Sequence, residues 1–132
     1  MVDLGMLVLR VISGVMMVLF HGWGKILGIV SFFSGKGWKF VDTVSSIGFP
    51  LPGLFAVLAG LVEFLSSILI ILGLFTRVNA GLLGFVMLVA TYYNIRVGAS
   101  YELSLLYLTV FVVMIIIGAG KYSLDYSMFR KK

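Results

Sequence analysis

Four apolar runs constrain the fold of this chain more than any other feature. They cover residues 4–22, 51–74, 78–95 and 103–119, and each is close to the ~20 residues that a helix needs to cross a bilayer. The chain is 61% hydrophobic and 11% charged over 132 residues, which is more apolar surface than a small globule can bury. The sequence therefore predicts an all-α membrane protein, a four-transmembrane-helix bundle with one domain over residues 1–132.

The loop between the first two runs predicts a fifth, shorter helix. Its middle, GWKFVDTVSSIG, places apolar side chains on one side and polar ones on the other, the apolar set being Trp38, Val41, Val44 and Ile47. A narrow apolar face with a tryptophan anchor is typical of a helix that lies on the membrane surface. We therefore expect a short interfacial helix in the first loop.

Two absences limit the chemistry that the chain can carry by itself. There is no cysteine, which excludes disulfides, iron–sulfur ligation and thiol redox chemistry by its own side chains. There is one histidine, His21, so a single copy cannot form a bis-histidine haem or a histidine-rich metal site. The sequence predicts no metal and no haem, and any electron chemistry would have to use a bound organic molecule or a partner.

The charge of the chain favours lipid over nucleic acid as a partner. The formal net charge is +5, which suits contact with anionic lipid headgroups. The basic residues are scattered between apolar runs, so we expect no nucleic-acid binding. Five basic residues fall on the side of the termini and four on the other, so the positive-inside rule predicts cytoplasmic termini in a prokaryotic cytoplasmic (inner) membrane.

Two ionisable residues, Arg10 and Glu63, lie inside apolar runs, where burying either charge alone costs about 3 kcal/mol. Glu63 shares a helix face with small residues that let a neighbouring helix approach, namely Ala56, Ala59, Gly60 and Ser67. Similar depths from the same end of the helices predict an Arg10–Glu63 pair. This pair is either a structural clamp or a group that exchanges a proton or binds a ligand.

A second polar cluster is expected at the opposite end of the bundle. It comprises His21, Trp23, Lys25, Tyr92, Tyr93, Asn94, Arg96, Tyr101 and Glu102. An imidazole, phenols and an amine beside an apolar interior can hold the carbonyl oxygens of a quinone and relay protons. The alternative is that tyrosine, tryptophan and lysine simply mark a membrane interface. The candidate catalytic residues are Arg10, His21 and Glu63, and the candidate cofactor-binding residues are His21, Lys25, Tyr92, Tyr93 and Glu102.

Several motifs in this order resemble the DoxX family of small four-helix membrane proteins. They are LVLRVISGVMMVLFHGWGKILG, the segment from GFPLPG through VEF to GLFTRVNAGLL, and the ending GAGKYSLD. The resemblance implies quinone-linked redox in the membrane, coupled to thiosulfate or thiols. Under this resemblance, the positions that match the family's motifs are Arg10, His21, Lys25, Glu63 and Arg77. Ser123, Leu124 and Asp125 match the family's ending, but the sequence suggests no role for them.

The leading interpretation is a quinone-interacting membrane subunit of an oxidoreductase system, with electrons supplied by a soluble or membrane partner or by a small reductant. One alternative is a small proton-coupled transporter that works as a homo-oligomer. Another is a non-catalytic membrane assembly protein whose polar residues only fix helix packing.

Overall fold

Helices account for most of the chain. The computed structural model describes residues 1–129, and the basic residues 130–132, which enter the charge-based orientation, lie outside the described residues. The helices are α1 Val2–Phe33, α2 Lys39–Ile47, α3 Pro52–Leu72, α4 Thr76–Val97, α5 Glu102–Ile117 and α6 Leu124–Phe129. No strand occurs within residues 1–129, so the prediction of an all-α chain is confirmed.

Three of the described helices, α1, α3 and α4, are long and apolar enough to cross a membrane. The fourth predicted span corresponds to α5, which is apolar but has only 16 residues, fewer than the ~20 that a perpendicular crossing needs. A bundle of four spans therefore stays a prediction. Helix α2 forms where the loop pattern predicts a helix, and its location on the membrane surface also stays a prediction.

Helix α1 differs most from the predicted spans. The sequence predicts an end near residue 22, but the helix continues to Phe33. The continuation WGKILGIVSFF is apolar and contains no proline to break it, and the Trp38 ring packs on Gly28. The predicted end is therefore wrong. His21 and Lys25 lie inside a continuous helix of 32 residues, which is about 48 Å long at the usual rise per residue.

The core of the chain lies where α1, α3, α4 and α5 meet. Its largest fully buried apolar side chains are Met17, Ile70, Leu83, Phe111 and Met114. On the outer faces, large apolar side chains such as Phe85 and Ile116 are more than half exposed. Lipid tails are as apolar as these side chains, so this surface is suited to a bilayer.

The small-residue face of α3 points into the protein, as predicted. Ala56, Gly60, Glu63 and Ser67 are buried, and Ala59 is partly buried. Because these side chains are short, α1 packs close to the α3 backbone along this face. The burial of Glu63 follows directly from this packing.

Arg10 is fully buried and is held by backbone carbonyls. Its Nη1 donates to the Ile70 and Ile71 oxygens at 3.0 and 3.1 Å. Its Nε donates to the Ala119 oxygen at 3.0 Å, and its Nη2 donates to the Tyr122 oxygen. The Ile70 and Ile71 carbonyls belong to the last turn of α3, where backbone oxygens lack helical partners and carry partial negative charge. The predicted Arg10–Glu63 pair is therefore wrong.

The error in that pairing comes from a stagger between α1 and α3. Similar depths place the two residues together only if both helices end at the same level. In the structure, Arg10 is level with Ile70 and Ile71, some seven or eight residues, or about 11 Å, from Glu63. The first turns of α1 extend past α3 and contact the chain that follows α5, where the Lys121 N–H donates to Asp3 Oδ1 at 3.0 Å.

The chain after α5, residues 118–126, forms a C-terminal segment that crosses this end of the helices. The Asp125 carboxylate accepts hydrogen bonds from the N–H groups of Phe75 and Thr76 at 2.6 and 2.8 Å, where α4 begins. Asp125 thereby caps α4, and its own N–H donates to the Gly73 oxygen at 2.8 Å. Ser123 Oγ accepts from the Tyr126 N–H at 3.1 Å. The sequence suggests no role for Ser123 and Asp125, and the structure shows that both form hydrogen bonds at this end of the protein.

We expect Arg10→Lys to lower the free energy of unfolding by about 3 kcal/mol. The guanidinium binds four backbone carbonyl groups at once, and the single ammonium group of lysine cannot reach all of them. Denaturant unfolding in mixed detergent micelles measures the change. The matched control is Arg96→Lys, an exposed arginine of α4, for which we expect a change below about 0.5 kcal/mol. Equal effects of the two substitutions would contradict the role of the Arg10 contacts.

Candidate functional site

Two short π-helical segments interrupt the α-helical hydrogen bonding of α1 and α3. They are Val18–Gly22 in α1 and Val62–Ser66 in α3. The single histidine, His21, lies in the first, and Glu63 lies in the second. Single π-turns inside α-helices occur frequently at functional sites. No pattern of side chains in the sequence indicated them.

The two π-helical segments pack against each other. A Cβ atom placed on Gly22 would lie 3.1 Å from the Glu63 carbonyl oxygen and 3.0 Å from the Phe64 Cα. These distances are tighter than side chains normally tolerate, so Gly22 is required for the two backbones to approach. The close packing places the turn that carries His21 beside the turn that carries Glu63.

Glu63 forms an ion pair with Lys25, one helical turn after His21. The Lys25 Nζ donates to Glu63 Oε1 at 3.0 Å, and it is the only ion pair among the described residues. The Glu63 side chain is 1% exposed, whereas that of Lys25 is 20% exposed. Lys25 also lies 4.8 Å from the centre of the Phe40 ring, in cation–π contact. The pair therefore joins a buried carboxylate to a cation that reaches the surface.

His21 packs against Tyr107 of α5. Their ring centres are 5.4 Å apart, and the ring planes are nearly perpendicular, a favourable edge-to-face arrangement. Tyr107 is buried and was not among the predicted site residues. The sequence feature that could have indicated Tyr107 is its position as a polar phenol inside the fourth apolar run. We define the "central site" as His21, Lys25, Glu63 and Tyr107.

The other predicted cofactor-binding residues lie elsewhere. Tyr92 and Tyr93 line a small cavity of about 170 Å³ between α2 and α4, together with Ser46, Ile47, Arg96 and Val97. Tyr92 accepts a hydrogen bond from Arg96 at 3.1 Å. Glu102 is exposed at the start of α5. The predicted cluster is thus divided between the central site and the ends of α4 and α5.

The central site contains hydrogen-bond donors of the kind that bind carbonyl oxygens. A quinone offers two carbonyl oxygens and an apolar ring, and the Lys25 ammonium, the His21 imidazole and the Tyr107 phenol can each donate a hydrogen bond. The aromatic rings of Trp38 and Phe40 lie 5.3 Å apart beside Lys25. Within residues 1–129, no group of three His, Cys, Asp or Glu residues lies close enough to hold a metal ion.

Comparison with known proteins agrees with the membrane architecture. The DoxX family model matches residues 5–120. An uncharacterized protein of Haemophilus influenzae is 33% identical over 133 aligned positions, which cover 93% of this chain and 90% of the relative. No solved structure matches the chain.

Lys25→Met should lower the free energy of unfolding by about 3 kcal/mol, because it leaves the buried Glu63 carboxylate without its cation. Glu63→Gln in the same chain should recover about 1–3 kcal/mol of that loss, the coupling expected for residues in direct contact. Denaturant unfolding of the two single variants and the double variant gives this coupling energy.

Two controls accompany this cycle. Lys39→Met changes an exposed lysine of α2 and should have little effect. Arg10→Lys combined with Glu63→Gln should be additive, because the two residues share no hydrogen bond. Strong coupling of Glu63 to Arg10 and none to Lys25 would contradict the assigned ion pair.

Proposed function

The chain belongs to the DoxX family and is an integral membrane protein, and on this basis we propose that it is a quinone-interacting membrane subunit of an oxidoreductase system. The observation that supports this proposal is the packing of two π-helical turns, which carry His21 and Glu63, with Lys25 paired to the buried carboxylate. An ionisable residue inside a membrane helix is expensive to bury and is a functional candidate by default.

The proposal assigns binding to the donors of the central site. A bound quinone supplies an acceptor for two electrons and two protons. The Lys25 ammonium, the His21 imidazole and the Tyr107 phenol are the groups that would bind its carbonyl oxygens. Around them the core is apolar, and hydrogen bonds to such donors are stronger where water is excluded.

Glu63 and His21 are the groups in this site that can take up and release protons. In its charged form Glu63 is stabilised by the Lys25 ammonium at 3.0 Å. When Glu63 takes a proton, Lys25 is freed and can turn its charge to another acceptor, since it is partly exposed. Protonation of Glu63 would therefore change the position of the Lys25 ammonium.

The electrons in this proposal enter from outside the chain. Since there is no cysteine, thiol redox chemistry cannot take place on its own side chains. A partner protein, or a small reductant of the thiol or thiosulfate class, would supply them. The transporter alternative requires a carboxylate free to attract a substrate cation, and Lys25 already occupies that position at Glu63.

We expect a quinone to purify with the protein in mild detergent and to be lost in His21→Ala and in Glu63→Gln. Solvent extraction with mass spectrometry and ultraviolet detection measures the amount per chain. Glu63→Gln keeps the size of the side chain, so the protein should remain folded, but it removes the charge that holds the Lys25 ammonium in the central site.

The control is Tyr92→Phe, which removes a phenol at the end of α4, away from the central site, and should retain the quinone. A wild-type protein without quinone, or equal retention in all variants, would contradict the proposal. If only Tyr92→Phe lost the quinone, binding would belong to the cavity between α2 and α4.

A further inference from the structure

An open cleft of about 630 Å³ lies at the end of the protein where α1 begins and α5 ends. It is lined by residues at the start of α4 and by residues of the C-terminal segment. Residues of both signs and apolar residues line it, among them Asp3, Arg77, Val78, Ile117 and Lys121. Neither the family match nor the proposed function assigns a role to this cleft.

The guanidinium of Arg77 lies at the cleft, close to the backbone of Gly118. A Cβ atom on Gly118 would lie 3.2 to 3.4 Å from Nη2, Nε and Cζ of Arg77, and Gly118 has a φ of +87°, which disfavours any other residue. Within the described chain, the one hydrogen bond of Arg77 is a long one, 3.4 Å from Nη2 to the Ile116 oxygen. Most of its five N–H donors therefore remain available to a ligand.

The carboxylates at the cleft are engaged by backbone N–H groups. Asp3 accepts from Lys121 N–H, and Asp125 accepts from the first N–H groups of α4. Neither Arg77 nor Lys121 forms an ion pair with a described residue. The two exposed cations thus have no carboxylate of the described residues in direct contact, while the N-terminus of α4 is already capped.

A buried hydroxyl gives a second indication of a missing partner. Thr76, which also lines the cleft, is 1% exposed. Its Oγ1 is the one buried side-chain polar atom without a hydrogen-bond partner among residues 1–129. Such atoms are rare in folded proteins, since leaving one unsatisfied is costly.

The cleft has apolar walls where it meets the outer faces of the helices. Val78 is 64% exposed and Ile117 is 47% exposed. They belong to α4 and α5, near the ends of these apolar helices, where lipid headgroups meet the hydrocarbon core. The cleft therefore combines two cations with exposed apolar side chains at the ends of two apolar helices.

We propose that this cleft binds one anionic phospholipid, with the phosphate at Arg77 and Lys121 and the acyl chains against Val78 and Ile117. A planar guanidinium is well suited to bind phosphate through two parallel hydrogen bonds. The site is separate from the central site, and it does not depend on the proposed redox function.

The test measures lipid binding to the full chain in mild detergent by native mass spectrometry. The chain is titrated with phosphatidylglycerol and, in parallel, with zwitterionic phosphatidylcholine. We expect phosphatidylglycerol to bind more tightly, and Arg77→Gln combined with Lys121→Gln to reduce that preference by about tenfold or more, since charge-assisted hydrogen bonds are lost. Lys121→Gln alone, at an exposed side chain that holds no helix together, should give part of this reduction.

The matched control is Lys36→Gln combined with Lys39→Gln, which removes the same charge at exposed positions of the first loop and should leave the preference unchanged. Arg77→Lys should keep part of it. Equal binding of the two lipids, or an equal loss in the control, would overturn the proposal. Displacement of phosphatidylglycerol by millimolar inorganic phosphate would assign the cleft to free phosphate and would also overturn it.

Discussion

The buried guanidinium of Arg10 is the interaction on which one whole end of the structure depends. A cation in an apolar interior needs either an acid or several oriented dipoles, and this chain uses dipoles. Two of the carbonyls come from the last turn of α3, and two from the C-terminal segment. The acceptors at the end of α3 are oxygens that a helix leaves unsatisfied in any case. The Arg10 side chain therefore satisfies carbonyl groups at the end of α3, and the same carbonyl groups stabilise its charge.

Because Arg10 is held by backbone carbonyls, Glu63 is left for Lys25. The two cations of α1 are 15 residues apart, about 22 Å along a helix, and their environments differ. Arg10 is fully buried among fixed backbone groups, whereas Lys25 is partly exposed and meets one carboxylate that can change its protonation. The first arrangement suits a permanent structural contact. The second suits a site whose charge changes during function.

The sequence could predict that Arg10 and Glu63 are buried, but it could not predict their partners. Burial follows from the apolar runs and from the small residues around Glu63. The partners depend on the stagger between α1 and α3, which the periodicity of the side chains does not specify. The π-helical turns leave no mark in side-chain periodicity. The sequence could not predict the role of Asp125 either, since Asp125 binds backbone N–H groups 49 and 50 residues away.

The long sequence separation within the Arg10 contacts bears on how the chain is made. Ribosomal synthesis proceeds from the N-terminus, so α1 and α3 can pair while later residues are still being added. The Ile70 and Ile71 oxygens are then available to Arg10, but Ala119 and Tyr122, 109 and 112 residues away, are not. The same delay leaves the start of α4 without Asp125. During biogenesis this end of the protein therefore stays incomplete until the last helix has emerged. In a nascent chain interrupted before residue 118, Arg10 would lack its hydrogen bonds to Ala119 and Tyr122, and cellular quality control could detect the exposed guanidinium.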